Sequence, residues 1–102
     1  ISPLMAAYIA AEGLDFGMAT PARYRAAMEG AGMKDIAITS RNEWYRHEAR
    51  TEVARMKGET GKNAAILVGQ DFVTHNIGIW ERMIPVLDTG EHCPTHLAAR
   101  KP

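Results

Sequence analysis

The residues best suited to chemistry are few and scattered. Four histidines and one cysteine are present. His47 and His75 each stand alone in their segments. An imidazole titrates near neutrality, so either can serve as a general base or as an ordinary surface side chain. His92 and His96 have i, i+4 spacing, which suits a shared metal only on a helix. Pro94 lies between them and the segment reads as loop running into strand, so no metal site is expected. Cys93 has no base arranged beside it in sequence, which argues against a thiolate nucleophile. Tyr8 can orient a ligand through its hydroxyl or pack as a helix-face aromatic. Trp44 and Tyr45 can cradle an onium group by cation–π contact or fill a core. Arg41 and Arg46 can meet a carboxylate ligand, although Glu43 stands three residues before Arg46, the spacing of a helical surface pair. The methionines are dispersed and read as core filler.

Composition limits what these residues can serve. The chain has 102 residues, with twelve Lys plus Arg against twelve Asp plus Glu. Zero net charge gives no footprint for a nucleic-acid partner and no basic recognition helix. Its hydrophobic fraction of 46% and charged fraction of 24% are those of a folded domain. The longest apolar run, Ala64 to Gly69, is far too short to span a bilayer. One cysteine excludes an internal disulfide framework and fits a reducing, cytoplasmic compartment. The opening Ile1-Ser2-Pro3-Leu4 lacks an initiator Met, a basic n-region and an apolar signal core. The expectation is one unit, residues 1–102, forming the carboxy-terminal portion of a larger enzyme.

The elements that would position these groups are legible as pattern. Ser2-Pro3 and Thr20-Pro21 are each a hydroxyl cap followed by proline at the first helical position. They predict helices ending near Gly13 and Gly30, with a loop at residues 14–19 between them. Apolar stripes are expected at Leu4, Met5, Tyr8 and Ile9, then at Tyr24, Ala27 and Met28. Asp35 to Thr39 alternates and reads as a strand. Glu43 to Lys57 reads as a long helix with Tyr45, Ala49, Val53 and Met56 inward. A polar link over Glu59–Lys62 follows, then helices over Asn63–Phe72 and Thr74–Leu87. The last carries Ile77, Trp80, Ile84 and Leu87 inward and should be kinked or shortened by Pro85. His96 to Arg100 reads as the final strand. Two strands cannot form a sheet that covers five helices, so they are expected to complete a larger sheet contributed from outside this segment.

The run from Tyr24 through Gly30-Ala31-Gly32 to Ile36 resembles the passage from the last helix into the penultimate strand of class I S-adenosylmethionine-dependent methyltransferases. The tail from Gly90 to Pro102 resembles their final antiparallel strand. A helical insertion carrying Arg41 to Tyr45 and Trp80 to Met83 resembles the phosphoethanolamine N-methyltransferase-like branch. The resemblance implies an α/β fold, the carboxy-terminal part of a doubly wound Rossmann-like methyltransferase, mostly helical with two strands. It implies S-adenosylmethionine as cofactor, held mainly by an upstream half whose Gly-rich turn is absent here. Tyr8, Trp44, Tyr45 and Arg82 would then line the pocket of a small-molecule methyl acceptor, with no catalytic residue assigned. Where that branch places phosphate-contacting cations this chain has Glu12 and Met83, so an acceptor other than phosphoethanolamine is expected. Its partner would be the amino-terminal half of the same enzyme or a second copy meeting it through strand edges, with no membrane and no nucleic acid. The reading from another class is a non-catalytic helical module that dimerises through its apolar faces.

Overall fold

A computed structural model describes residues 1–13 and 19–102, and all of the loop expected at residues 14–19 except Ala19 lies outside them. Five helices and two strands follow in the order α1 Pro3–Glu12, α2 Pro21–Gly30, β1 Lys34–Ser40, α3 Asn42–Lys57, α4 Glu59–Val68, α5 Gln70–Asp88 and β2 Thr95–Arg100. The chain is thus mostly helical with a two-stranded antiparallel sheet. No doubly wound parallel sheet is formed within the described residues.

Both expected caps form. Ser2 Oγ accepts from the Met5 amide at 3.1 Å, and Thr20 Oγ1 accepts from the Arg23 amide at 3.2 Å. Each hydroxyl satisfies a backbone donor that the first helical turn leaves without an intrahelical partner. Gly13 ends α1 in the left-handed region at φ +69°, where a Cβ would be strained.

The boundaries of α4 and α5 differ from the sequence reading. Glu59–Lys62 is the first turn of α4 rather than a link, so only Gly58 separates α3 from α4. Gly69, at φ +91°, breaks the chain after Val68, and α5 begins at Gln70. Phe72 therefore belongs to α5. Pro85 neither stops nor shortens α5, which runs on to Asp88. It forfeits one backbone bond in the last turn, while the next two residues, Val86 and Leu87, are fully buried. The inner stripe of α5 is also rotated from expectation. Val73, Ile79, Met83, Val86 and Leu87 are buried, whereas Ile77, Trp80 and Ile84 are only partly so.

The core is helical. Met5 and Tyr8 of α1, Ala49 of α3 and Ile79, Met83, Val86 and Leu87 of α5 form one cluster, edged by Ile9, Tyr45, Trp80 and Ile84. Helix α5 is the axis on which α1, α3 and α4 pack. The sheet lies outside this cluster. Ile38 faces Leu97, Thr39 faces His96 and Ser40 faces Thr95 in register. A bulge between Lys34 and Ala37 is accompanied by Asp35 at φ +53°, a conformation Asp tolerates better than most side chains. Helix α2 packs against β1 and buries none of its own residues fully. Each strand has one hydrogen-bonded neighbour and, among the described residues, an outer edge with no strand beside it.

At the α3–α4 corner, a Cβ on Gly61 would lie 1.7 Å from the Met56 carbonyl oxygen. Gly61→Ala is therefore expected to cost about 1–3 kcal/mol in urea denaturation. Gly30→Ala, whose Cβ would meet nothing within 4 Å, should be neutral to stabilising by up to about 1 kcal/mol.

Candidate functional site

The segment Gly90–Thr95 joins α5 to β2 and is tethered from four sides. The Asn42 side-chain amide donates to the Leu87 carbonyl at 3.0 Å and to the His92 carbonyl at 2.9 Å. The His92 amide donates to the Val86 carbonyl at 2.9 Å. The Arg41 amide donates to the Pro94 carbonyl at 2.8 Å, and Ser40 Oγ lies 3.3 Å from Cys93 Sγ. From α1, Ser2 gives its amide hydrogen to Glu91 Oε2 at 2.8 Å and its hydroxyl hydrogen to Oε1. These bonds hold the Glu91 carboxyl below its ordinary range.

A cavity of about 540 Å³ opens between this segment, the start of α2 and the start of β2. That volume is within the range of small-molecule sites. Thr20 and Tyr24 of α2, Glu91, His92 and Cys93 of the loop, and Leu97 of β2 are among the residues that line it. Leu97 remains 39% exposed there and Tyr24 45%.

His92 connects the cavity to the core. Its ring centroid lies 5.2 Å from that of buried Tyr8, tilted by 46°. The Tyr8 hydroxyl donates to Glu12 Oε1 at 2.9 Å, one helical turn further along α1. Burial raises the Tyr8 pKa well above the ordinary tyrosine range, and the Glu12 bond adds to the rise. Tyr8 is therefore a neutral hydrogen-bond donor rather than a phenolate. His92 Nδ1 is shut off from solvent and, among the described residues, has no hydrogen-bond partner. Protonating both ring nitrogens would place an unpartnered N–H in the interior, which costs about 1–3 kcal/mol. Desolvation accordingly pushes the His92 pKa down, against a smaller opposing pull from the Glu12 carboxylate. The ring is neutral near pH 7, leaving Nε2 as the nitrogen able to meet a cavity ligand.

The structure distributes the sequence-predicted residues over separate places. Tyr8 backs His92 from the core. Trp44 and Tyr45 pack edge to face on α3, with centroids 5.0 Å apart at 77°. The guanidinium of Arg41 lies 5.5 Å from the Trp44 ring centroid, so the chain's own cation occupies an onium position. Arg46 meets Asp88 at 3.1 Å rather than Glu43, and Arg50 meets the same carboxylate at 2.6 Å. Arg82 is exposed and donates to the Gly78 carbonyl of its own helix at 3.1 Å. His47 and His75 are exposed on α3 and α5. The sequence reading weighed His92 only as a metal ligand and missed its pairing with α1. The i, i+4 spacing of Tyr8 and Glu12 was the one local signal available.

Among the described residues, no group of three or more His, Cys, Asp or Glu is placed to hold a metal ion, and no helix is long and apolar enough to cross a membrane. Strand β1 passes into α3 through Ser40 and Arg41, with no glycine to admit a ligand to the helix N-terminus. No family model, no curated protein and no solved structure matches this chain.

The buried imidazole has a consequence for stability. Below an ordinary histidine pKa of about 6.5 the unfolded chain takes up a proton that folded His92 resists. Stability should rise with pH through the interval between the lowered folded pKa and that ordinary value. Tyr8 and Glu12 of α1 are the titratable groups facing the ring. Thermal melts from about pH 5 to about pH 7 should therefore show a smaller pH slope in His92→Gln than in the parent chain.

Proposed function

We propose that the chain is the acceptor-side, carboxy-terminal portion of a class I S-adenosylmethionine-dependent methyltransferase. The observation that carries this reading is the β1–β2 pair. It is antiparallel and is preceded by α2. It is split by a three-helix insertion and, among the described residues, has an open edge on each strand. A two-stranded ribbon is marginal in water by itself. Here α2 lies against β1, and every residue of β2 after Thr95 is exposed. In this reading further strands of the parent enzyme extend the pair into the doubly wound sheet. The methyl donor is held by those strands, because the sequence carries no Gly-rich strand-to-helix turn of the kind that approaches such a cofactor. The cavity beside His92 receives the acceptor, with Tyr8 fixing the histidine from behind. Trp44, Tyr45 and Arg82 border the insertion rather than the cavity lining.

Calorimetric titration with S-adenosylmethionine tests the division. The isolated chain should give no binding heat, and the chain extended at its amino terminus by the parent enzyme's preceding segment should bind. Tight binding by the isolated chain would reject the reading. So would an upstream coding sequence without a strand, Gly-rich turn and helix.

One observation favours the second reading, a non-catalytic helical module that dimerises. At the α4–α5 corner Ile66 is 82% exposed and Leu67 86%, with Val68 and Phe72 also exposed. That reading expects a dimer in sedimentation equilibrium, converted to monomer by Leu67→Asp.

A further inference from the structure

We propose that the cavity between α2 and the Gly90–Thr95 segment binds a small organic amine as its ammonium ion, with an apolar body lying against Tyr24 and Leu97. As a site for the methyl acceptor it rests on the reading above. As a site for an amine it does not.

The charge of the lining carries the inference. Among the described residues that line the cavity, Glu91 is the one formally charged side chain, and none is lysine or arginine. Its two oxygens take hydrogen bonds from the neutral donors of Ser2, and the amino-terminal ammonium exerts a smaller pull, so the negative charge is oriented and only partly offset. His92 adds no competing cation, because a second ring proton would be trapped in the interior without a partner. An anionic ligand would meet a carboxylate and no positive counterpart, which disfavours phosphates and carboxylates.

The remaining lining fits an amine's other end. Tyr24 is about half exposed and offers a π surface, which attracts an ammonium and also packs against apolar groups. Leu97 adds apolar area, and the hydroxyls of Thr20 and Thr95 retain lone pairs for an ammonium N–H. The tethers on the loop, from Asn42, Val86 and Ser2, hold Glu91 and His92 in place before a ligand arrives. Binding then spends little on ordering the site.

Phenethylamine and phenylacetate are matched probes of opposite charge. Nuclear magnetic resonance titration of the labelled chain should show saturable shifts at Tyr24, His92 and Leu97 with phenethylamine and none with phenylacetate. Glu91→Gln should weaken amine binding by about fivefold or more. Because Glu91 also anchors Ser2, Tyr24→Leu provides a second variant that keeps bulk, removes the π surface and should weaken binding by about threefold or more. Equal or better binding of phenylacetate, amine shifts that map elsewhere, or unchanged affinity in folded variants would overturn the proposal. A chain that binds the amine while its amino-terminally extended form ignores S-adenosylmethionine would retain this site and lose the methyl-transfer reading. The converse result would remove the amine site alone.

Discussion

The Asn42 side chain is the constraint on which most of this structure depends. Its amide nitrogen donates to carbonyls at the end of α5 and in the loop that follows, at 3.0 and 2.9 Å. The Leu87 carbonyl, in the last turn of α5, also accepts from the Gly90 amide at 3.0 Å, and the His92 carbonyl lies beyond the helix. One amide group satisfies the two together and fixes the start of α3 against the exit of α5. Strand β1 ends two residues before Asn42 and β2 begins three residues after His92. The same bridge therefore brings the ends of the two strands near one another and holds the cavity wall in place.

Burial is uneven across the molecule, and this separates what stabilises it from what it presents. The interior belongs to α1, α3 and α5, where Leu87, Val86, Ala49 and Met5 are almost wholly enclosed. Truncating such a side chain typically costs about 2–5 kcal/mol. The ion pairs of Arg46 and Arg50 with Asp88 join α3 to α5 across the surface. They lower the Asp88 carboxyl's pKa, the Arg50 bond contributing most, but exposed pairs of this kind add little stability. The sheet and α2 contribute less apolar enclosure than the helices. The groups available to a ligand gather where α2, the loop and β2 meet.

Much of the framework was legible in the sequence because the signals were local. A hydroxyl followed by proline started α1 and α2 where expected, and the isoleucines of β1 marked a strand. The α4–α5 boundary is hard to place from sequence because a single Gly69 marks the break directly after the apolar run Ala64–Val68, with Phe72 only three residues beyond it. Pro85 was misjudged because the buried residues that follow it draw the helix onward. The candidate site was far less readable. Tyr8 and Glu12 are a turn apart on one helix, but His92 meets them only after the chain has passed through α5. Arg41 covering Trp44 is likewise a matter of how the helix start is packed, and their composition alone left both side chains open to other roles.

The pairing of β1 with β2 spans the whole three-helix insertion, since Ser40 lies opposite Thr95. Contacts so remote along the chain carry a large loop-closure cost unless something else first draws their ends together. The α3–α5 packing and the Asn42 bridge do so, which places strand pairing late in the order of assembly. The ribbon is then the part of the molecule that opens most readily, and its amides should exchange with solvent well before those of α5.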